Sequence, residues 1–341
     1  MAQFTAVDEK AVSMIDTTAT PPWCMIPEQG VKIVRLTQDD GVTLRVAPGA
    51  TTTLQLRETK SLGDRAIEIR AQNPGEATLQ AVRDKAVVAM LDIAVFPHKQ
   101  FTISFRFVYD KSGEVTGQPL SKLSYKELSD ALSVVNNIYR PQVNLSVTEL
   151  SAGPTHVSDD LSRGLVFRAG GISLPELKNL PAPLQVFRLK TNLEIGCVSG
   201  SIPGPLGCDP SGLGVVNDTN LRGRLQALDL EFNLFRRVDQ NADFTFLLIN
   251  KLVNAPDVGA FTIGDGCILP DTVPTTQRGF VMAHEFGHFL LGKRSDGKAW
   301  HTVDKRDLMS EVLASRPSEQ GFFIRKTEAL QMARKIPKPR S

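Results

Sequence analysis

The chain has 341 residues, 41% of them hydrophobic and 22% charged, a balance that belongs to folded globular proteins and leaves room for two domains. Lys plus Arg number 39 against 37 for Asp plus Glu, so the charge carries no polyanion-binding signature and no nucleic-acid partner is expected. The longest apolar run, Ala86 to Phe96, is interrupted by Asp92 and is too short to cross a bilayer, so no membrane span is expected.

Residues 1–30 show no clear periodicity, contain Pro21-Pro22, and read as a leader. They lack both the basic start and the apolar stretch of a secretory signal. The expectation is a cytoplasmic protein, or one that leaves the cell by a route needing no such signal. Residues 31–98 alternate in short runs. Val42, Leu44 and Val46 precede a Pro48-Gly49 turn, Leu54 and Leu56 follow, then Ile67 and Ile69, and Asn73-Pro74-Gly75 turns the chain again. Thr78 to Val82 and Val87 to Phe96 complete a pattern that predicts a small β-sandwich. The stretch NPGEATLQAV resembles the late-strand region of bacterial immunoglobulin-like domains. The resemblance implies a module that binds another protein or a surface.

After Pro97 the texture changes, and 99–341 reads as a second, mixed α/β domain. Phe101, Ile103, Phe105 and Phe107 alternate in a strand. Ser124 and Glu127 form a capping-box signature, and Leu128, Leu132, Val135 and Tyr139 recur at helical spacing, with Pro141 expected to follow the helix. Val143, Leu145, Val147 and Leu150 predict the next strand, so this is a β-α-β unit with a parallel crossover. A Gly/Pro-rich stretch from about 195 to 218 reads as surface loop, bracketed in part by Cys197 and Cys208. A disulfide between those two would constrain the loop, and two free thiols are the alternative. FTFLLIN, 244–250, is apolar enough for a buried or edge strand, and GAFTIG, 259–264, predicts a short one. The basic C-terminus, with Arg334, Lys335, Lys338 and Arg340, reads as a solvated helix end followed by a frayed tail.

The chemistry is concentrated in AHEFGHFLLG, 283–292. Thr275-Thr276-Gln277 after Pro274 offers a helix start, and Phe280 to Leu291 is apolar enough for a buried helix. His284 and His288 lie four apart on one face and can both reach a single metal ion. Glu285, one step round, can reach a water at that metal without being a ligand. Two His and a Glu in an apolar helix are costly to bury without such a partner. The HExxH spacing therefore predicts Zn²⁺ hydrolysis with Glu285 as general base and then acid.

Two imidazoles do not complete a catalytic zinc site. His301 opens HTVDKRDLMS, with Met309 eight residues later. Here the chain resembles the metzincin zinc peptidases, whose pattern is HExxHxxGxxH followed by a turn carrying a methionine. The resemblance implies a zincin-like α/β peptidase domain, His301 as third ligand, Met309 in the supporting turn, and an extended peptide substrate paired with an edge strand such as FTFLLIN or GAFTIG. The connection departs from the family. Gly292 lies eight residues after His284 instead of seven, and His301 lies thirteen after His288 instead of six, with polar KRSDGKAW between. A Gly after the helix can still supply the left-handed turn, and the longer loop costs roughly 1 kcal/mol or less. Carboxylates compete for the third position: Glu311, 23 residues beyond His288, would give a gluzincin-like set of two His and one Glu, and Asp304 and Asp307 are further alternatives.

Cys24, in PPWC, is a candidate pro-segment thiolate or simply core packing, and His98 and His156 stand isolated. The reading that follows is a zinc endopeptidase acting on a protein or peptide. A zinc-containing binding or adhesion protein with an Ig-like module is its competitor from another class.

Overall fold

The computed structural model describes residues 2–7, 14–37, 41–59, 65–107, 121–150, 166–168, 171–173, 241–249, 260–263, 265–292, 300–310 and 322–339. Among them the protein is mixed α/β, mostly sheet, with three helices. It packs as two compact units. One comprises Met1–Phe101, Asp130–Val147 and Leu290–Pro337, the other Thr102–Ser129, Thr148–Phe289 and Lys338–Ser341.

The N-terminal strands form two four-stranded sheets. In the first, β1 (Gln3–Ala6), β3 (Val31–Thr37), β6 (Arg65–Ala71) and β5 (Leu54–Thr59) lie side by side in that order, all antiparallel. In the second the order is β2 (Trp23–Pro27), β8 (Ala86–Phe96), β7 (Gly75–Arg83) and β4 (Thr43–Val46), with β2 running parallel to β8. Phe4, Val34, Leu36, Ile67 and Ile69 from the first sheet and Cys24, Ile26, Leu79, Leu91 and Ile93 from the second share one core, a sandwich arrangement. Residues 1–30, read as a leader, thus supply a strand to each sheet. WCMIP is buried almost throughout, so it lacks the alternation by which a half-buried strand is recognised.

Register has a cost in β3. Its alternation turns Lys32, Val34 and Leu36 inward and leaves Val31 and Ile33 exposed. Burial lowers the pKa of the Lys32 ammonium, which donates to the Met25 carbonyl at 3.4 Å. The Asn73-Pro74-Gly75 turn is as expected from its residues. Gly75 has φ +148, and a Cβ there would come within 2.7–2.9 Å of Thr51.

The central sheet has the order β10 (Leu145–Glu149), β9 (Lys99–Phe107), β13 (Phe244–Ile249), β15 (Gly266–Pro270) and β14 (Phe261–Ile263). β9, β13 and β15 are parallel, and β14 closes one edge antiparallel to β15. FTFLLIN is therefore an interior strand, with a neighbour on each side, and GAFTIG supplies the edge. A separate two-stranded ribbon joins β11 (Val166–Arg168) to β12 (Gly171–Ser173).

Helix α1 (Tyr125–Val143) starts at the expected capping box. The Ser124 amide donates to Glu127 Oε2 at 2.9 Å, and the Glu127 amide donates to Ser124 Oγ at 3.3 Å. Backbone and side-chain donors of Ser124, then Arg278, pull the Glu127 carboxyl down to about 2. Contrary to expectation, Pro141 lies inside the helix. Its missing N–H gives up the bond to the Asn137 carbonyl one turn back, and Asn144, at φ 51, ends the helix in the left-handed conformation with its amide on the Arg140 carbonyl. β10 follows directly.

The C-terminal tail is also better held than its composition suggests. After α3 (Lys326–Met332), Lys99 Nζ donates to the carbonyls of Ala333 and, at 2.9 Å, Lys335. The Lys338 amide donates to Asp243 Oδ1 at 2.5 Å. These lysines and their neighbours are structural contacts within each unit, not a frayed end.

Candidate metal centre

Helix α2 (Thr275–Leu291) carries the HExxH residues. Its first turn is fixed from outside. The Gln277 and Arg278 amides both donate to the Pro274 carbonyl at 2.9 Å. The buried Arg278 guanidinium donates to the Val273 carbonyl at 2.9 Å and to Glu127 Oε1 at 3.2 Å, joining the starts of α1 and α2. One face then packs by aromatic contact. The Phe244 ring of β13 lies 5.5 Å from Phe286 and 5.1 Å from Phe289, centroid to centroid. Gly292, at φ +66, stands immediately after the helix, the left-handed position the sequence reading gave it.

The other face presents the two half-buried histidines. The rings of His284 and His288 sit at 86° with centroids 4.8 Å apart, and their Nε2 atoms approach to 3.1 Å. His301 joins them: one ligand atom from each of the three lies within 4.8 Å of the others. Bonds of about 2.0–2.1 Å to a tetrahedral ion separate nitrogens by about 3.3 Å. The His284–His288 pair at 3.1 Å is close to that spacing, and with His301 the three form a donor set that could hold a metal ion.

His301 stands on an irregular stretch that turns tightly on itself. The Thr302 amide donates to the Met309 carbonyl at 2.9 Å, Asp307 to Asp304 at 3.0 Å, and Ser310 to Asp307 at 3.2 Å. Met309 is fully buried. The carboxylates that competed for the third position are otherwise engaged where they are described. Asp304 accepts from the Arg306 guanidinium and amide, which hold its carboxyl at about 2. Asp307 Oδ2 accepts from Arg325 Nε at 2.6 Å. Glu311 lies outside the described residues, as do Cys197, Cys208 and His156. Cys24 is a core side chain of the sandwich, its thiol pushed up to about 11 by burial, which leaves no thiolate to block a metal. His98 meets Ser146 Oγ at 2.8 Å.

Glu285 is buried at 4% exposure, and its carboxylate has a donor that sequence reasoning did not find. Thr262, in the edge strand β14, places Oγ1 at 2.6 Å from Glu285 Oε2 and at 2.9 Å from the Glu285 carbonyl. A threonine between two apolar residues in a three-residue strand carries no sequence signal for such a contact.

No protein-family model and no curated protein matches the chain. What the site offers is three imidazoles whose ligand atoms lie within 4.8 Å of one another, with a carboxylate one residue along the helix from the first.

Proposed function

We propose that this protein is a zinc-dependent endopeptidase of the metzincin type, with an Ig-like sandwich at its N-terminal end. The observation that carries the reading is the convergence of His284, His288 and His301 within 4.8 Å, beside the buried Glu285. Imidazole suits zinc, and three protein ligands leave a fourth position open, the pattern of a catalytic rather than a structural site. His284, His288 and His301 would hold a zinc ion, which when bound would acidify a water and polarise the scissile carbonyl. Glu285 accepts the proton of the attacking water and delivers it to the departing amine. A peptide substrate would extend along the outer edge of β14, since β15 occupies its inner edge. Among the described residues no helix is long and apolar enough to cross a membrane.

Glu285→Gln is expected to lower hydrolysis of a quenched-fluorescent peptide mixture by about 10²–10⁴-fold while one zinc per chain is retained. Undiminished hydrolysis would overturn the role. In the same series His301→Ala loses zinc affinity and Glu311→Ala keeps it; the reverse identifies the two-His, one-Glu set. Full zinc occupancy with no cleavage of any member of an unbiased peptide library by the unaltered protein identifies a binding protein instead.

A further inference from the structure

We infer that Thr262 is the positioning residue of Glu285, its hydroxyl fixing one carboxylate oxygen so that the other is presented at the metal centre. The inference rests on the reading of Glu285 as the base. A carboxylate at 4% exposure needs a donor, and Thr262 Oγ1 provides one at 2.6 Å. The hydroxyl has a single proton, and its 2.6 Å contact with Oε2 is the shorter of its two contacts with Glu285. The proton is therefore assigned to Oε2, in preference to the Glu285 carbonyl at 2.9 Å. Glu285 Oε1 accepts no hydrogen bond among the described residues, and it is the oxygen left to take a proton.

The direction of this bond is set by the backbone on both sides. Thr262 is the middle residue of β14 and pairs with Cys267 of β15, so the pleat fixes the face from which its side chain leaves. Branching at Cβ then restricts χ1. Glu285 is held by the packed helix, but three torsions separate its carboxylate from the main chain, and a proton acceptor must be placed to within about 0.5 Å. One hydroxyl on the edge strand removes that freedom. The strand that would pair with an extended peptide is then the same strand that holds the base, so substrate docking and base placement share one residue.

Thr262→Val keeps the shape and removes the hydroxyl, and Thr262→Ser keeps the hydroxyl. Thr262→Val is expected to lower kcat by about 10–100-fold with KM and bound zinc unchanged, and Thr262→Ser to restore it to within about threefold. Crystals of the zinc-free Thr262→Val protein provide a readout independent of turnover. The Glu285 carboxylate should leave its position by more than about 1 Å, a shift of the size that costs catalysis. An unmoved carboxylate overturns the inference whatever the rate, and an unchanged kcat overturns it whatever the geometry. Glu285→Gln measured alongside separates the two failures. If that variant is inactive while Thr262→Val is fully active, only the role of Thr262 falls. If Glu285→Gln is itself active, the base assignment falls.

Discussion

The two halves of the metal centre are built differently. His284, Glu285 and His288 come from little more than one turn of a helix whose buried face is apolar and aromatic. His301 comes from a stretch with no helix or strand of its own, organised by backbone turns and by charges. Asp307 binds Arg325, which also reaches Asp304 at 3.3 Å. The next residue, Lys326, donates its amide to Asp16 at 2.9 Å and its ammonium to Asp92 at 3.0 Å, both in the N-terminal part of the same unit. The sandwich therefore has a use inside the molecule: it anchors the helix start that anchors the turn after His301. A module read only as a surface for partners would not need those contacts.

Two substitutions test that difference, beginning with the larger effect. Phe244→Ala removes the ring, fully buried, that touches Phe246, Phe286 and Phe289, and should destabilise the fold by about 4 kcal/mol. The loss should be the same in low and high salt, because dispersion and burial are not screened. Arg325→Met leaves the carboxylate of Asp307, whose side chain has no exposure, without its cation, at a cost of about 3 kcal/mol. Arg325 itself is 28% exposed, so this loss should shrink in 1 M salt. It should also weaken zinc binding measured against a competing chelator, through a loosened 300–310 stretch. Urea midpoints at two salt concentrations check both. Equal salt sensitivity in the two variants would erase the distinction between an apolar half and a charged half.

The same difference explains what was legible in the sequence. Helix α2 could be read because its information is local: Pro274 before it, an apolar body, two His four apart, and Gly292 after it. His301 could be named, by resemblance and by Met309, but not held in place. Its supports reach across the chain, Asp307 to Arg325 and Asp16 to Lys326, and no periodicity records such pairs. The strands of the sandwich showed through their alternation, whereas β2 did not, being buried on both faces. FTFLLIN left its place open because a short apolar run does not distinguish an interior parallel strand from an edge; only pairing with both β9 and β15 decides it. Thr262 belongs to the same class as the ion pairs, a contact between residues 23 apart with no motif behind it.

The smallest of the three expected effects concerns Glu328, whose side-chain carboxylate helps cap the start of α3. It is 3% exposed, and its Oε2 accepts the Arg325 amide at 3.0 Å. Burial raises its carboxyl to about 7, the Arg325 backbone donor opposes this, Asp307 and Asp16 add to it, and the Arg325 guanidinium opposes it; Tyr139 is the other titratable group it influences. The folded state therefore holds a proton that the unfolded chain releases near 4.5. Between pH 4.5 and about 7 the native protein binds more protons than the unfolded one, so stability falls as pH rises through that window and stays low above it. Glu328→Gln keeps an acceptor for the Arg325 amide and cannot ionise. It should leave stability near pH 4.5 almost unchanged and raise it by about 2 kcal/mol at pH 8, below the full linkage value because the amide N–H₂ must also be buried. Urea midpoints across that pH range, compared with those of the unaltered protein, measure the change. If the two curves stay parallel, the carboxyl is not protonated in the folded state. The anchor of the His301 half would then carry an ionised glutamate beside Asp307 and Asp16, and Arg325, already facing Asp304, Asp307 and Asp16, would have a fourth negative charge to neutralise.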